Sequence, residues 1–230
     1  MDVKIKLTRY KHWFQYPDYN RYPHDTLVIA QFRNPYDWFK AMQHVPHHSP
    51  NHLQYRNDKH WNEFLTTTWT MPRIGTDRWN NSTEPCQEHF DWKDLISCPV
   101  EPLPKSSYQR LAYSNHQPMY EMRNDGSGEP YPNIMELRAD KIRNFLSVKD
   151  YQGIADLWIV QYEYLLTKGT QGLIDQVAEF TGLVPNCTAS PPQQRRSRPL
   201  SKEMAEYIRT NLNWTAEALI GYGPHREEID

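Results

Sequence analysis

Apolar positions recur along this chain in two rhythms, separated by long polar stretches. Leu27-Val28-Ile29-Ala30-Gln31-Phe32 is a short, nearly continuous apolar run. Such a run predicts a strand covered on both faces, as in a parallel sheet. The rhythm changes after Arg33-Asn34-Pro35, where Tyr36, Phe39 and Met42, joined by Trp38, recur at helical spacing. Pro35 suits the first position of a helix and Asn34 its N-cap. Thr26–Met42 therefore reads as a buried strand that turns a tight corner into a helix.

Upstream, Val3–Arg9 alternates apolar and basic residues like a half-buried strand, and Asp18–Asp25 reads as a loop rich in Tyr, Pro and Asn. From His44 to about Tyr131 the rhythm is lost. This stretch is rich in His, Asn, Thr, Pro and Trp, with one short helix expected near His60–Trp69. It reads as a loop-rich insertion or lid that shapes a substrate site rather than a sheet.

Regular periodicity then returns. Asn133–Val148 predicts a helix, with Ile134, Leu137, Ile142 and Phe145 near one side. Leu157-Trp158-Ile159-Val160-Gln161-Tyr162 predicts a second buried strand. Thr170–Phe180 is amphipathic, with Leu173, Val177 and Phe180 in a stripe and Gly182 as C-cap. After the basic loop Arg195-Arg196-Ser197-Arg198, Ser201 starts a last helical region that runs through Trp214 toward Leu219. The expectation is one α/β domain over residues 1–230, with a parallel core sheet and an insertion over about 44–131.

Composition narrows the picture. With 230 residues, 38% of them hydrophobic, the chain is long enough to bury a core. Mean hydropathy is low at −0.88, offset by eight Trp, fifteen Tyr and seven Phe. A net charge of −2 gives no global attraction to nucleic acid or anionic membrane, so an anion site must be local. No apolar run approaches the ~20 residues that span a bilayer. Cys86, Cys98 and Cys187 form no CxxC pair, which removes the zinc and redox signatures. Cys86 and Cys98 are spaced to close a small loop as a disulfide, and three free thiols fit equally well. Sequons stand at Asn80, Asn81, Asn186 and Asn213. With a disulfide they would point to a glycoprotein of a secretory lumen such as the Golgi; otherwise the chain reads as cytoplasmic.

Chemistry concentrates at Arg33. A helix N-terminus offers N–H groups and a positive dipole end, and an Arg beside it makes a seat for phosphate or sulfate. Pairing of Arg33 with Asp37 or a carbonyl is the plain alternative. The His-rich stretch is a weaker candidate for a metal. His48 and His52 are four apart, but Pro46 and Pro50 break the helix that would align them, so no metal is expected. Asp125-Gly126-Ser127-Gly128 is a turn without the Lys of a nucleotide loop.

The order of these motifs resembles the P-loop sulfotransferase family. The resemblance rests on Phe32-Arg33-Asn34-Pro35-Tyr36-Asp37, then Tyr162-Glu163-Tyr164-Leu165, then Glu179-Phe180-Thr181-Gly182-Leu183, then the basic loop. The ending Trp214…Glu217…Leu219-Ile220-Gly221-Tyr222 is similar to the family's closing helix. The resemblance implies a P-loop NTPase-like fold. It also implies transfer of a sulfuryl group from 3′-phosphoadenosine 5′-phosphosulfate to an acceptor hydroxyl or amine, a glycan among the candidates. Arg33, Asn34, Arg195, Arg196 and Arg198 would hold the 3′-phosphate, with Tyr162 near the adenosine. Lys11-His12 lies 33 − 12 = 21 residues before the corner Arg, similar to the family's base, so His12 is the implied proton acceptor.

Two departures qualify this. Ala41 stands where the family has a phosphate-binding Ser, eight residues after the corner. No Gly-rich Lys/Ser/Thr loop precedes Val3, so the chain reads as the family without its first βαβ segment. A non-catalytic or truncated member, binding a nucleotide, glycan or protein, is therefore the second expectation. A nucleotide-kinase relative lacks support, since no Walker-type loop occurs.

Overall fold

In the computed structural model, residues 25–44, 60–67, 123, 131–193 and 200–224 are described. Strand β1 (Thr26–Phe32) leads through a two-residue corner into helix α1 (Pro35–His44). A short helix α2 (Trp61–Thr66) follows, then the longer α3 (Ile134–Ser147) and a 3-10 turn at Val148–Asp150. Strand β2 (Ile154–Gln161) runs directly into α4 (Tyr162–Lys168). The remaining helices are α5 (Gln171–Thr181), α6 (Lys202–Asn211) and α7 (Trp214–Ala218).

The strands pair in parallel, from Thr26 opposite Ile154 to Phe32 opposite Gln161. Among the described residues the sheet has these two strands, so the class is α/β. Both carboxyl ends fall together, and this sets Arg33 beside Tyr162. The β1 run is not covered on both faces as expected: Ala30 is buried, but Ile29 is 41% exposed and Gln31 is exposed. Ile29 and Gln31 share one face of the strand and Ala30 lies on the other, so it is the Ala30 face that packs on the core.

Local signals explain most helix boundaries. Asn34 Oδ1 accepts from the Tyr36 N–H at the start of α1. Asn133 Oδ1 accepts from the N–H groups of Met135 and Glu136, and Ser201 Oγ from that of Met204. These are N-caps of the expected kind. Gly182 ends α5 in the left-handed region, at φ 68°. The last helical region is not continuous. It breaks at Leu212, and Asn213 caps α7 by accepting from the Ala216 N–H.

The main core lies between helices. Tyr36 and Phe39 of α1, Phe64 and Leu65 of α2, Ile134 and Leu137 of α3, and Met204 and Ile208 of α6 form one buried cluster. A fully buried side chain of this size contributes about 1.5–3 kcal/mol. A smaller cluster of Ile142, Ile220 and Tyr222 packs on Phe32 and Ile159, joining the core to the sheet. By contrast α5 has no buried residue. Its apolar stripe lies at the margin, where Phe180 meets Trp158 edge-on at 5.3 Å and stays 47% exposed.

The expected strand at Val3–Arg9, the disulfide pair Cys86 and Cys98, and most of the insertion lie outside the described residues. Cys187 is a free, exposed thiol. No helix among the described residues is long and apolar enough to cross a membrane.

Candidate functional site: a clamped corner at Arg33

The parallel pairing of β1 and β2 brings three of the sequence-predicted residues together: Arg33, Asn34 and Tyr162. The Arg33 guanidinium lies over the Tyr162 ring, 5.4 Å from its centroid. Its Nε is buried and has no hydrogen-bond partner. A buried donor left unmatched is costly, and such atoms in folded proteins ask for an explanation.

The backbone around Arg33 is held from three sides. Tyr222 Oη lies 3.1 Å from the Phe32 carbonyl. Arg138 Nη2 donates to the Arg33 carbonyl at 2.9 Å. The Asn34 N–H donates to Glu163 Oε1 at 2.9 Å. Each partner comes from a different element: Tyr222 from the segment after α7, Arg138 from α3, and Glu163 from α4. Side chains distant in sequence thus fix three successive residues at the strand-to-helix corner.

These partners are themselves tied. Arg138 makes a two-pronged pair with Glu217 of α7, Nε to Oε1 at 2.5 Å and Nη2 to Oε2 at 2.9 Å. Both residues are buried, at 4% and 1% exposure. The Arg138 guanidinium also stacks on Trp38, 4.7 Å from the ring centroid. Tyr222 Oη reaches Glu163 Oε2 at 2.6 Å. Burial, and then the hydrogen bond to the Glu163 carboxylate, push the Tyr222 phenol well above its ordinary range. The phenol therefore stays protonated and can donate.

The clamp corrects one part of the sequence expectation. The N-terminus of α1 does not offer free N–H groups at its first positions. Asn34 donates to Glu163, Pro35 has no N–H, and Tyr36 donates to the Asn34 side chain. The cationic group at this corner is the Arg33 guanidinium, and the Glu163 carboxylate already stands beside the Asn34 amide.

The other predicted residues, His12, Arg195, Arg196 and Arg198, lie outside the described residues. The segments flanking the basic loop are anchored. The Gln193 N–H donates to the Leu166 carbonyl in α4, and Leu200 packs on the main core. His48 and His52, the histidines weighed for a metal, lie outside the described residues, and His60 of the same His-rich stretch pairs with Glu63 at 2.6 Å. No group of side chains suited to a metal occurs among the described residues. A separate open cleft of about 410 Å³ lies along β2, α4, α5 and the turn after α7. Ile159, Leu165, Leu173 and Ile220 line it, together with Gln161 and Gln176; Arg33 and Tyr162 do not.

Arg138 had no sequence signal. Its apolar neighbours on α3 predict a core face, and a buried Arg on such a face is visible only through its partner 79 residues away. Asn213 was missed as a cap, because one helical region was expected from Ser201 through Trp214; the signal that marks it is an Asn just before Trp214 and three residues before Ala216.

Fold and corner define an α/β protein in which Arg33 stands where the parallel strands end, its backbone held by Tyr222, Arg138 and Glu163. No family model, curated protein or solved structure matches the chain.

Proposed function

We propose that the Arg33 corner seats the 3′-phosphate of 3′-phosphoadenosine 5′-phosphosulfate, and that the protein is a P-loop sulfotransferase-like enzyme acting on an acceptor hydroxyl or amine. One observation supports this most: the Arg33 Nε is buried and unpartnered on a backbone held from three sides. Arg33 as a whole is only partly buried, so the accessible part of its guanidinium can meet a phosphate oxygen, and charge-assisted bonds of this kind are strong. Tyr162 stacks on the guanidinium and would present an aromatic face to the nucleoside.

In the proposed reaction the acceptor oxygen or nitrogen attacks sulfur, and the bond from sulfur to the 5′-phosphate oxygen breaks. The acceptor proton passes to a base, for which His12 is the candidate by its place in the motif order. The products are the sulfated acceptor and adenosine 3′,5′-bisphosphate. Arg195, Arg196 and Arg198 would close over the same 3′-phosphate. A glycan acceptor in the Golgi lumen accords with the sequons.

The test is calorimetry with adenosine 3′,5′-bisphosphate. Arg33→Ala is expected to weaken binding roughly 10–100-fold, the worth of a charge-assisted bond. Binding that is absent, or indifferent to the substitution, overturns the assignment. Transfer of radiolabelled sulfate to a glycan panel then tests turnover.

A second reading has one observation in its favour. Glu163 already occupies the Asn34 N–H, which leaves the nucleotide fewer donors at the corner. A non-catalytic protein that binds a nucleotide, glycan or protein partner fits that arrangement. Robust sulfate transfer would exclude it.

A further inference from the structure

The Arg138–Glu217 pair is more elaborate than packing requires. Two charges are withdrawn from water between α3 and α7, at 4% and 1% exposure. Buried ion pairs of this kind are commonly no more stabilising than apolar side chains of similar volume. Stability alone therefore does not account for the pair. Its geometry supplies a second use. Arg138 spends Nε and Nη2 on the two oxygens of Glu217, and the same Nη2 reaches the Arg33 carbonyl. Trp38, on the helix that starts at the corner, covers the face of the guanidinium. With its plane fixed by Glu217 and Trp38, Arg138 sets the height of the Arg33 peptide. That peptide determines where the Arg33 side chain leaves the backbone.

We propose that Arg138 and Glu217 are positioning residues for the anion seat: they hold the Arg33 carbonyl so that the Arg33 guanidinium stays aimed over Tyr162. The inference rests on the phosphate-seat reading above. Both would act through Arg33 rather than on the ligand itself. Glu217 orients Arg138, and Arg138 orients Arg33.

The decisive variant is the double substitution Arg138→Met with Glu217→Leu, which removes both charges and keeps the volume. It is expected to fold with stability close to wild type. Two readouts on the full chain separate positioning from packing. The first is calorimetry with adenosine 3′,5′-bisphosphate, where affinity is expected to fall about tenfold. The second is amide exchange without nucleotide. There the Asn34 and Tyr36 N–H groups should exchange about tenfold faster, while amides in the middle of α3 are unchanged. Wild-type affinity and unchanged corner exchange in a folded double variant overturn the proposal. Should the double variant not fold, Arg138→Lys decides. It keeps a charge opposite Glu217, loses the planar fork, and is expected to show both effects. If wild-type protein binds no nucleotide, the functional reading fails, and corner exchange still decides whether the pair positions Arg33.

Discussion

The Tyr222 hydroxyl lies 2.6 Å from the Glu163 carboxylate, and through that contact a residue after the last helix closes the end of both strands. The same hydroxyl is 3.1 Å from the Phe32 carbonyl. Tyr222→Phe removes only the donor. A hydrogen bond to a charged group contributes about 1.5–3 kcal/mol, and denaturant unfolding is expected to show a loss in that range. The phenol is raised in the folded state, so folded protein keeps this proton after the unfolded chain has begun to lose its own. The associated stability is therefore complete below about pH 10 and declines above it. Tyr222→Phe should flatten that decline by up to about 1.4 kcal/mol per pH unit. Parallel alkaline curves for the two proteins would refute the assignment.

Arg33 is expected to contribute little to stability. Its buried Nε lacks a partner, and its contact with Tyr162 is of the order of 0.5–2 kcal/mol. Arg33→Met keeps a flexible chain over the ring and removes the unmatched donor. Stability should stay within about 0.5 kcal/mol of wild type or rise, as is common where a site is held ready for a ligand. A loss above about 2 kcal/mol in urea unfolding would make Arg33 a structural residue.

Two glycines with positive φ should differ in their tolerance of alanine. Gly182, at φ 68°, has nothing within 4 Å of an added Cβ. Gly182→Ala therefore meets only the backbone penalty, about 1–2 kcal/mol. At Gly169, φ is 76° and an added Cβ would lie 2.7 Å from the Ser190 carbonyl oxygen and 3.1 Å from Pro192. Gly169→Ala should cost clearly more, because backbone must move. Equal losses in thermal unfolding would contradict the difference.

The helix caps should rank by the bonds they make. Asn133 accepts from two N–H groups at the start of α3, and Ser201 from one at the start of α6. Asn133→Ala and Ser201→Ala should each cost about 0.5–2 kcal/mol, with Asn133 the larger. Chemical denaturation of both variants checks the order.

What the sequence conveyed was local. Asn34, Asn133 and Ser201 act within three residues of themselves, so their capping was readable. The strand-to-helix corner was readable because Pro35 fixes its own backbone. The clamp was not readable in the same way. Glu163 and Asn34 are 129 residues apart, and Arg138 and Glu217 are 79 apart. Such pairs exist only once the strands are aligned. The exposure of Ile29 was misjudged for a related reason: an apolar run reports what a strand can bury, whereas the elements packed on each face decide what it does bury. In α5 the stripe of Leu173, Val177 and Phe180 predicted the helix correctly but not its place at the margin.

The pairing of β1 with β2 also sets a clock. Thr26 meets Ile154 across 154 − 26 = 128 residues of chain. No strand contact can form until that span has closed, and closure entropy grows with the logarithm of its length. The helices α3 and α6 can form early from neighbouring residues, but the corner waits for the sheet. Topologies ruled by distant pairings fold in roughly milliseconds to seconds rather than microseconds. The clamp around Arg33 is accordingly a late event. A chain caught before it would lack the three hydrogen bonds that fix the backbone around Arg33.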